Sequence, residues 1–135
     1  MAFKLKEGRV GPTDLWPTPA STAIALGQPL KLVSGALAVV SSGDKVWYLA
    51  RGTKSAGDSA TTAIEVERVY KGKVYEGDIG TGTAGSTTPG ADYDLKSGAT
   101  STVDLTATSN NDVQCVGWNG TDTAKADFVF LNTVF

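Results

Sequence analysis

From residue 101 the chain alternates between apolar and polar positions. Val103, Leu105 and Ala107 fall on one side, and Thr102, Asp104, Thr106 and Thr108 on the other. A period of two predicts a half-buried strand. Ser109-Asn-Asn-Asp112 follows and predicts a turn, because Asn and Asp tolerate left-handed dihedrals and bond their own backbone. Val113-Gln-Cys-Val-Gly-Trp118 predicts a second strand, Asn119-Gly120 a hairpin turn, and Phe128 to Phe135 a closing strand. Together these runs predict an antiparallel meander. The closing strand is apolar on both faces, with Phe128, Phe130 and Val134 on one and Val129, Leu131 and Phe135 on the other. One face serves the core. The other needs cover, from a second sheet layer or from a neighbouring subunit.

The middle of the chain repeats this style. Ile24 to Val40 gives short apolar runs broken by Gly27-Gln28-Pro29 and by a turn at Ser34-Gly35. Ser41-Ser-Gly-Asp44 is a further turn, and Lys45 to Arg51 is a strand rich in aromatic and β-branched residues. Between Thr61 and Lys71, Ile64 and Val66 face in and Glu65 and Glu67 face out, until Arg68-Val69 breaks the alternation and predicts a bulge or a switch of face. Lys71-Gly72-Lys73 turns the chain into Val74 to Ile79. A loop of Gly, Ser, Thr, Ala and Pro follows from Gly80 to Ala91, and Tyr93 and Leu95 re-enter the fold.

Residues 1–22 have a different character. Phe3, Leu5, Leu15 and Trp16 are scattered among Lys4, Lys6, Glu7 and Arg9, and Pro12, Pro17 and Pro19 forbid a continuous helix. An extended arm with apolar anchors is expected there, leading into a β domain over 23–135.

Composition narrows the function. The 135 residues suit one domain, and a content of 41% apolar residues supports a core. A net charge of −2 supplies no basic field for nucleic acid. No run approaches the ~18 apolar residues of a membrane span, and the first residues lack the apolar stretch of a secretory signal. Use without export by that route is expected. The single Cys115 cannot form an internal disulfide. With no His in the chain, Ser-His-Asp and Cys-His nucleophile systems are excluded.

Asp92 with Asp94, and Glu65 with Glu67, are two apart and share a strand face, but they read as solvated surface and turn residues. Gly80-Thr-Gly-Thr-Ala-Gly85 matches a dinucleotide fingerprint, yet Ser86-Thr-Thr-Pro-Gly90 cannot open the helix it requires. Trp47, Tyr48, Tyr70, Tyr75, Tyr93 and Trp118 are the rings that could line a sugar or base platform, although core and interface roles are commoner for strand aromatics. No enzyme, cofactor or metal is expected.

Ala25-Leu-Gly-Gln-Pro-Leu-Lys-Leu-Val-Ser-Gly35, Val46 to Gly52, Ala63 to Tyr70 and Asn110-Asn-Asp-Val-Gln-Cys-Val-Gly-Trp118 together resemble the bacteriophage head decoration proteins, or capsid cement proteins. The likeness is one of glycine-punctuated strand rhythm over most of the chain. It implies a small antiparallel β-barrel or β-tulip-like sandwich with an extended N-terminal arm. It also implies a homotrimer on the outer surface of the virion, made in the host cytoplasm, with the major capsid protein as partner and no nucleic acid or membrane. On that basis Phe3, Lys4, Lys6, Arg9, Leu15 and Trp16 are expected to contact the capsid, and Val129, Leu131 and Phe135 to form the subunit interface. The rival expectations are a receptor- or glycan-binding β-module of a tail fibre, or a tail or neck structural protein.

Overall fold

Strand formation begins almost at once, because Phe3-Lys4-Leu5 already alternates. The computed structural model describes residues 2–6, 12–19, 22–57 and 62–135. Their strands are β1 (Phe3–Leu5), β2 (Thr13–Thr18), β3 (Pro29–Val33), β4 (Ala36–Val39), β5 (Tyr48–Ala50) and β6 (Thr62–Arg68). β7 (Val74–Thr81), β8 (Asp92–Lys96), β9 (Ala99–Asp104), β10 (Val113–Gly117) and β11 (Lys125–Phe130) follow, and the only helical element among the described residues is a 3₁₀ turn at Ala84–Ser86. The fold is all-β, in two packed sheets.

The first sheet runs β1-β7-β11-β10-β8-β9 and closes on itself, because β9 also pairs with β7. β7 makes this closure by dividing one edge between two partners. β1 takes its first half, with Phe3 opposite Gly77 and Leu5 opposite Tyr75. β9 takes its second half, with Asp78 opposite Thr102 and Ile79 opposite Val103, and this pair is parallel. Closure removes the free edges that would otherwise template aggregation. The interior holds Phe3, Tyr75, Leu95, Val103, Val113, Cys115, Phe128 and Phe130. The rings of Phe3 and Tyr75 lie 5.0 and 5.3 Å from that of Phe130.

The second sheet is antiparallel in the order β2-β6-β5-β3-β4. It curls until its edge strands β2 and β4 approach within 8 Å between Cα atoms. Ile24, Leu30, Leu37, Tyr48, Ala50, Ile64 and Val66 fill it. Val33 pairs with Ala36, so Ser34-Gly35 is a two-residue hairpin turn, and both residues take positive φ (50° and 80°). β5 lies between the cores: Leu49 enters the first, while Tyr48 and Ala50 enter the second.

Several expectations change in the structure. The last third is not a simple meander, because β8 lies between β9 and β10. Asn119-Gly120 does not form a tight hairpin. It sits in a longer connection between β10 and β11, where the Asn119 Oδ1 accepts from the amides of Thr121 and Asp122 at 2.9 and 3.0 Å. Arg68-Val69 carries neither a bulge nor a switch of face: the alternation is regular, with Ile64 and Val66 pointing into the second core and Glu67 and Val69 toward the first, so both faces of the strand are covered here.

The N-terminal residues are extended, as expected, but the described ones are strands of the body and not a free arm. β1 is hydrogen-bonded in the first sheet, and β2 pairs along its whole length with β6 in the second. Gly27 admits β1 closely: its φ is +75°, and a Cβ there would lie 2.6 Å from the Phe3 nitrogen.

Candidate functional site

The residues expected to reach a partner separate into three environments. Phe3 is fully buried. It fits over Gly77, where a Cβ would collide with its ring, so its apolar surface belongs to the chain's own core. Lys4 is exposed opposite Glu76, and Lys6 donates to Asp127 Oδ2 at 2.6 Å. Arg9 lies outside the described residues. Trp16 is half-buried and donates from Nε1 to the Tyr48 hydroxyl at 3.1 Å.

Leu15 behaves differently. Along β2, Asp14, Trp16 and Thr18 turn toward the second core while Thr13 and Leu15 turn out. Leu15 is 68% exposed, more than any other large apolar side chain described. Its cross-strand neighbour Glu65 is exposed too and pairs with Arg51 at 3.3 Å. The outer face of β2 and β6 therefore presents one apolar side chain beside a screened ion pair. Val33, 51% exposed, projects at the β3–β4 turn of the same sheet.

At the C-terminus the chain leaves β11 after Phe130 and crosses to the second sheet. Val46 N donates to Asn132 O at 2.9 Å, and Val134 N donates to Val46 O at 3.2 Å. This carries Phe135 onto Trp47, Tyr48 and Tyr70, at ring distances of 6.1, 5.8 and 6.0 Å, with the Arg68 guanidinium 5.0 Å from its centroid. Part of the cover that Phe135 needs comes from its own chain, and the residue stays half-buried. Val129 and Leu131 remain half-buried.

The aromatic side chains do not assemble into a platform. Tyr48, Tyr75 and Tyr93 are buried, and Trp47 and Tyr70 surround Phe135. Trp118 is exposed in the connection between β10 and β11 and donates to Asp122 O at 2.6 Å.

Asp94, expected on the surface, and Asp112, expected in a turn, are both buried. Asp94, 3% exposed, accepts from the amides of Asn110 and Asn111, each at 2.8 Å. It thereby shapes the turn before β10. Asp112, 2% exposed, joins the sheets: it accepts from Leu95 N on β8 and from Gly43 N and Ser42 Oγ in the turn after β4, at 2.8, 2.8 and 2.7 Å. No group of three or more His, Cys, Asp or Glu residues is placed to hold a metal ion among the described residues.

Glu67 is also inside, because the outer face of β6 is covered at this point by the first core; Leu49 stands opposite it. Burial pushes its carboxyl above the ordinary value of 4.5, against the opposing pull of Arg51 and Lys73. The folded state therefore holds this proton more tightly than the unfolded chain does. The resulting stability is complete below the ordinary glutamate value and is lost as pH rises through the raised folded value. Glu67→Gln is expected to be more stable than the wild type at pH 7, with the difference closing in acid. Urea unfolding at several pH values reads this directly, and a variant less stable than the wild type at pH 7 overturns it.

Comparison with protein-family models, with curated proteins and with solved structures gave no match.

Proposed function

We propose that this protein is a structural component of a bacteriophage particle, one that decorates and stabilises the capsid from the outer surface of the shell. Its partner is the major capsid protein, and it acts as a homotrimer, as the resemblance of its strand rhythm to the cement proteins implies. The strand rhythm carries this reading, and Leu15 is where we place the contact with the shell. A leucine 68% exposed on the outward face of an edge strand leaves apolar surface that a partner would remove from water. The contact expected of a flexible arm is thereby transferred to a rigid strand, which binds without the entropy cost of ordering a tail.

Co-sedimentation with undecorated capsids tests the proposal. Leu15→Asp is expected to leave stability within about 0.5 kcal/mol, as exposed substitutions do. It is also expected to lower shell occupancy severalfold at limiting protein, since fully burying a leucine side chain contributes about 1.5–3 kcal/mol. Failure of the wild type to bind the shells overturns the proposal. Equal occupancy by wild type and variant overturns the role of β2.

A further inference from the structure

A cleft of about 560 Å³ opens between the turn after β4 and the β8–β9 turn, where the two sheets meet. Gln28, Val39, Ser41, Ser97, Ala99 and Ser101 are among its lining residues, and among the described residues no charged or aromatic side chain lines it.

Gln28 is the informative group, since it is a buried polar residue at 8% exposure. The Thr100 hydroxyl donates its proton to Val40 O at 2.7 Å. That hydroxyl can then only accept, and it accepts from Gln28 Nε2 at 3.4 Å. The carboxamide is thereby oriented with its oxygen free. No group among the described residues donates to that oxygen. Among the described residues every buried side-chain nitrogen or oxygen has a partner. An oxygen without one must therefore touch solvent, and the solvent that Gln28 meets is in the cleft. The hydroxyls of Ser41, Ser97 and Ser101 are likewise uncommitted among the described residues.

We infer that this cleft is a binding site for a neutral saccharide. An anion or cation would find no opposite charge there. A wholly apolar ligand would strand a buried carboxamide oxygen and three hydroxyls. A sugar presents hydroxyls that both donate and accept, matching three rotatable hydroxyls and one fixed acceptor arranged around small apolar residues. An extended peptide would instead call for main-chain groups at a regular strand spacing, whereas the free groups here are side chains from separate turns and strands. The volume falls within the range of small-molecule sites, about 300–1,000 Å³. With no ring to stack on, affinity on the order of millimolar is expected. This inference does not depend on whether the protein decorates a capsid.

The test is an NMR titration of the full-length ¹⁵N-labelled protein with maltose, lactose and cellobiose, and in parallel with trialanine. At least one disaccharide is expected to shift the Gln28 side-chain amide and the backbone amides near Ser41 and from Ser97 to Ser101. The double variant Ser97→Ala with Ser101→Ala, made at accessible positions, should keep the remaining spectrum and weaken binding about tenfold, as expected for two neutral hydrogen bonds. Gln28→Leu should abolish it. The inference is overturned if no disaccharide moves these signals, if only trialanine does, or if the double variant binds as tightly as the wild type.

Discussion

A chain that begins at Thr22 is expected not to fold. Such a truncation would leave the β domain intact if the first residues were a detachable arm, but they supply one strand to each sheet. Without β1, the first half of β7 loses its edge partner and the first core loses Phe3. Without β2, β6 loses the partner along one whole edge. Trp16 leaves the second core, and the fully buried Thr18 no longer donates to Thr62 O at 2.7 Å. Lys54, 5% exposed, loses the Pro19 carbonyl that accepts from its Nζ at 2.7 Å. A buried Phe→Ala substitution alone costs about 3–5 kcal/mol, and a domain is stable by about 5–15 kcal/mol in total. Removal of both strands therefore exceeds the margin, and the exposed edge of β6 favours aggregation. Circular dichroism and urea unfolding of the truncated chain and of full-length Phe3→Ala check this. The truncated chain should show no cooperative transition, and Phe3→Ala should lose about 3–5 kcal/mol. A truncated chain that unfolds at the wild-type midpoint would overturn the assignment of these strands to the body.

The second large effect is expected at Asp112. Its Oδ2 receives the Ser42 hydroxyl and the Leu95 amide, and its Oδ1 receives the Gly43 amide. Alanine removes three bonds to a charged acceptor, each worth about 1.5–3 kcal/mol, and leaves the Leu95 amide without a partner in a buried setting. These losses overlap, because water can enter the turn at Gly43, so a destabilisation of about 3–5 kcal/mol is expected. Asparagine should cost less. Its carbonyl can keep the Ser42 and Leu95 bonds, but its amide then faces the Gly43 N–H, donor against donor. Urea unfolding should show the midpoints in the order wild type, Asp112→Asn, Asp112→Ala, with an unchanged slope. If both variants lie within about 0.5 kcal/mol of the wild type, the carboxylate does not join the sheets.

The parts of this fold that were legible in the sequence are those whose causes are local. Ser34-Gly35 marks a hairpin because only certain residues accept two successive positive φ angles at low cost. Ile64 and Val66 mark one inward face because strand periodicity is itself a local property, whereas the break read at Arg68-Val69 is the second covered face of the same regular strand. The pairing of β1 was half legible. Phe3-Lys4-Leu5-Lys6 alternates like a strand, but its partner lies some seventy residues away and leaves no trace beside it. The prolines of β2 argued for an arm, although an edge strand tolerates Pro17 equally well. The burial of Asp94, Asp112 and Glu67 was not legible, because a carboxylate in a strand or a turn looks the same in sequence whether solvent or the rest of the fold surrounds it. Gln28 was hidden for the same reason: its role depends on a threonine from another sheet.

The position of β5 governs how the molecule comes apart. Three consecutive residues are divided between two interiors, so neither interior can empty without pulling on the same short backbone segment. Thermal or chemical unfolding should then be a single cooperative event despite the presence of two sheets. The amides of Tyr48 to Ala50 should exchange with solvent only through that global opening. A load applied to one sheet is passed to the other along covalent bonds, without relying on the apolar contact between them.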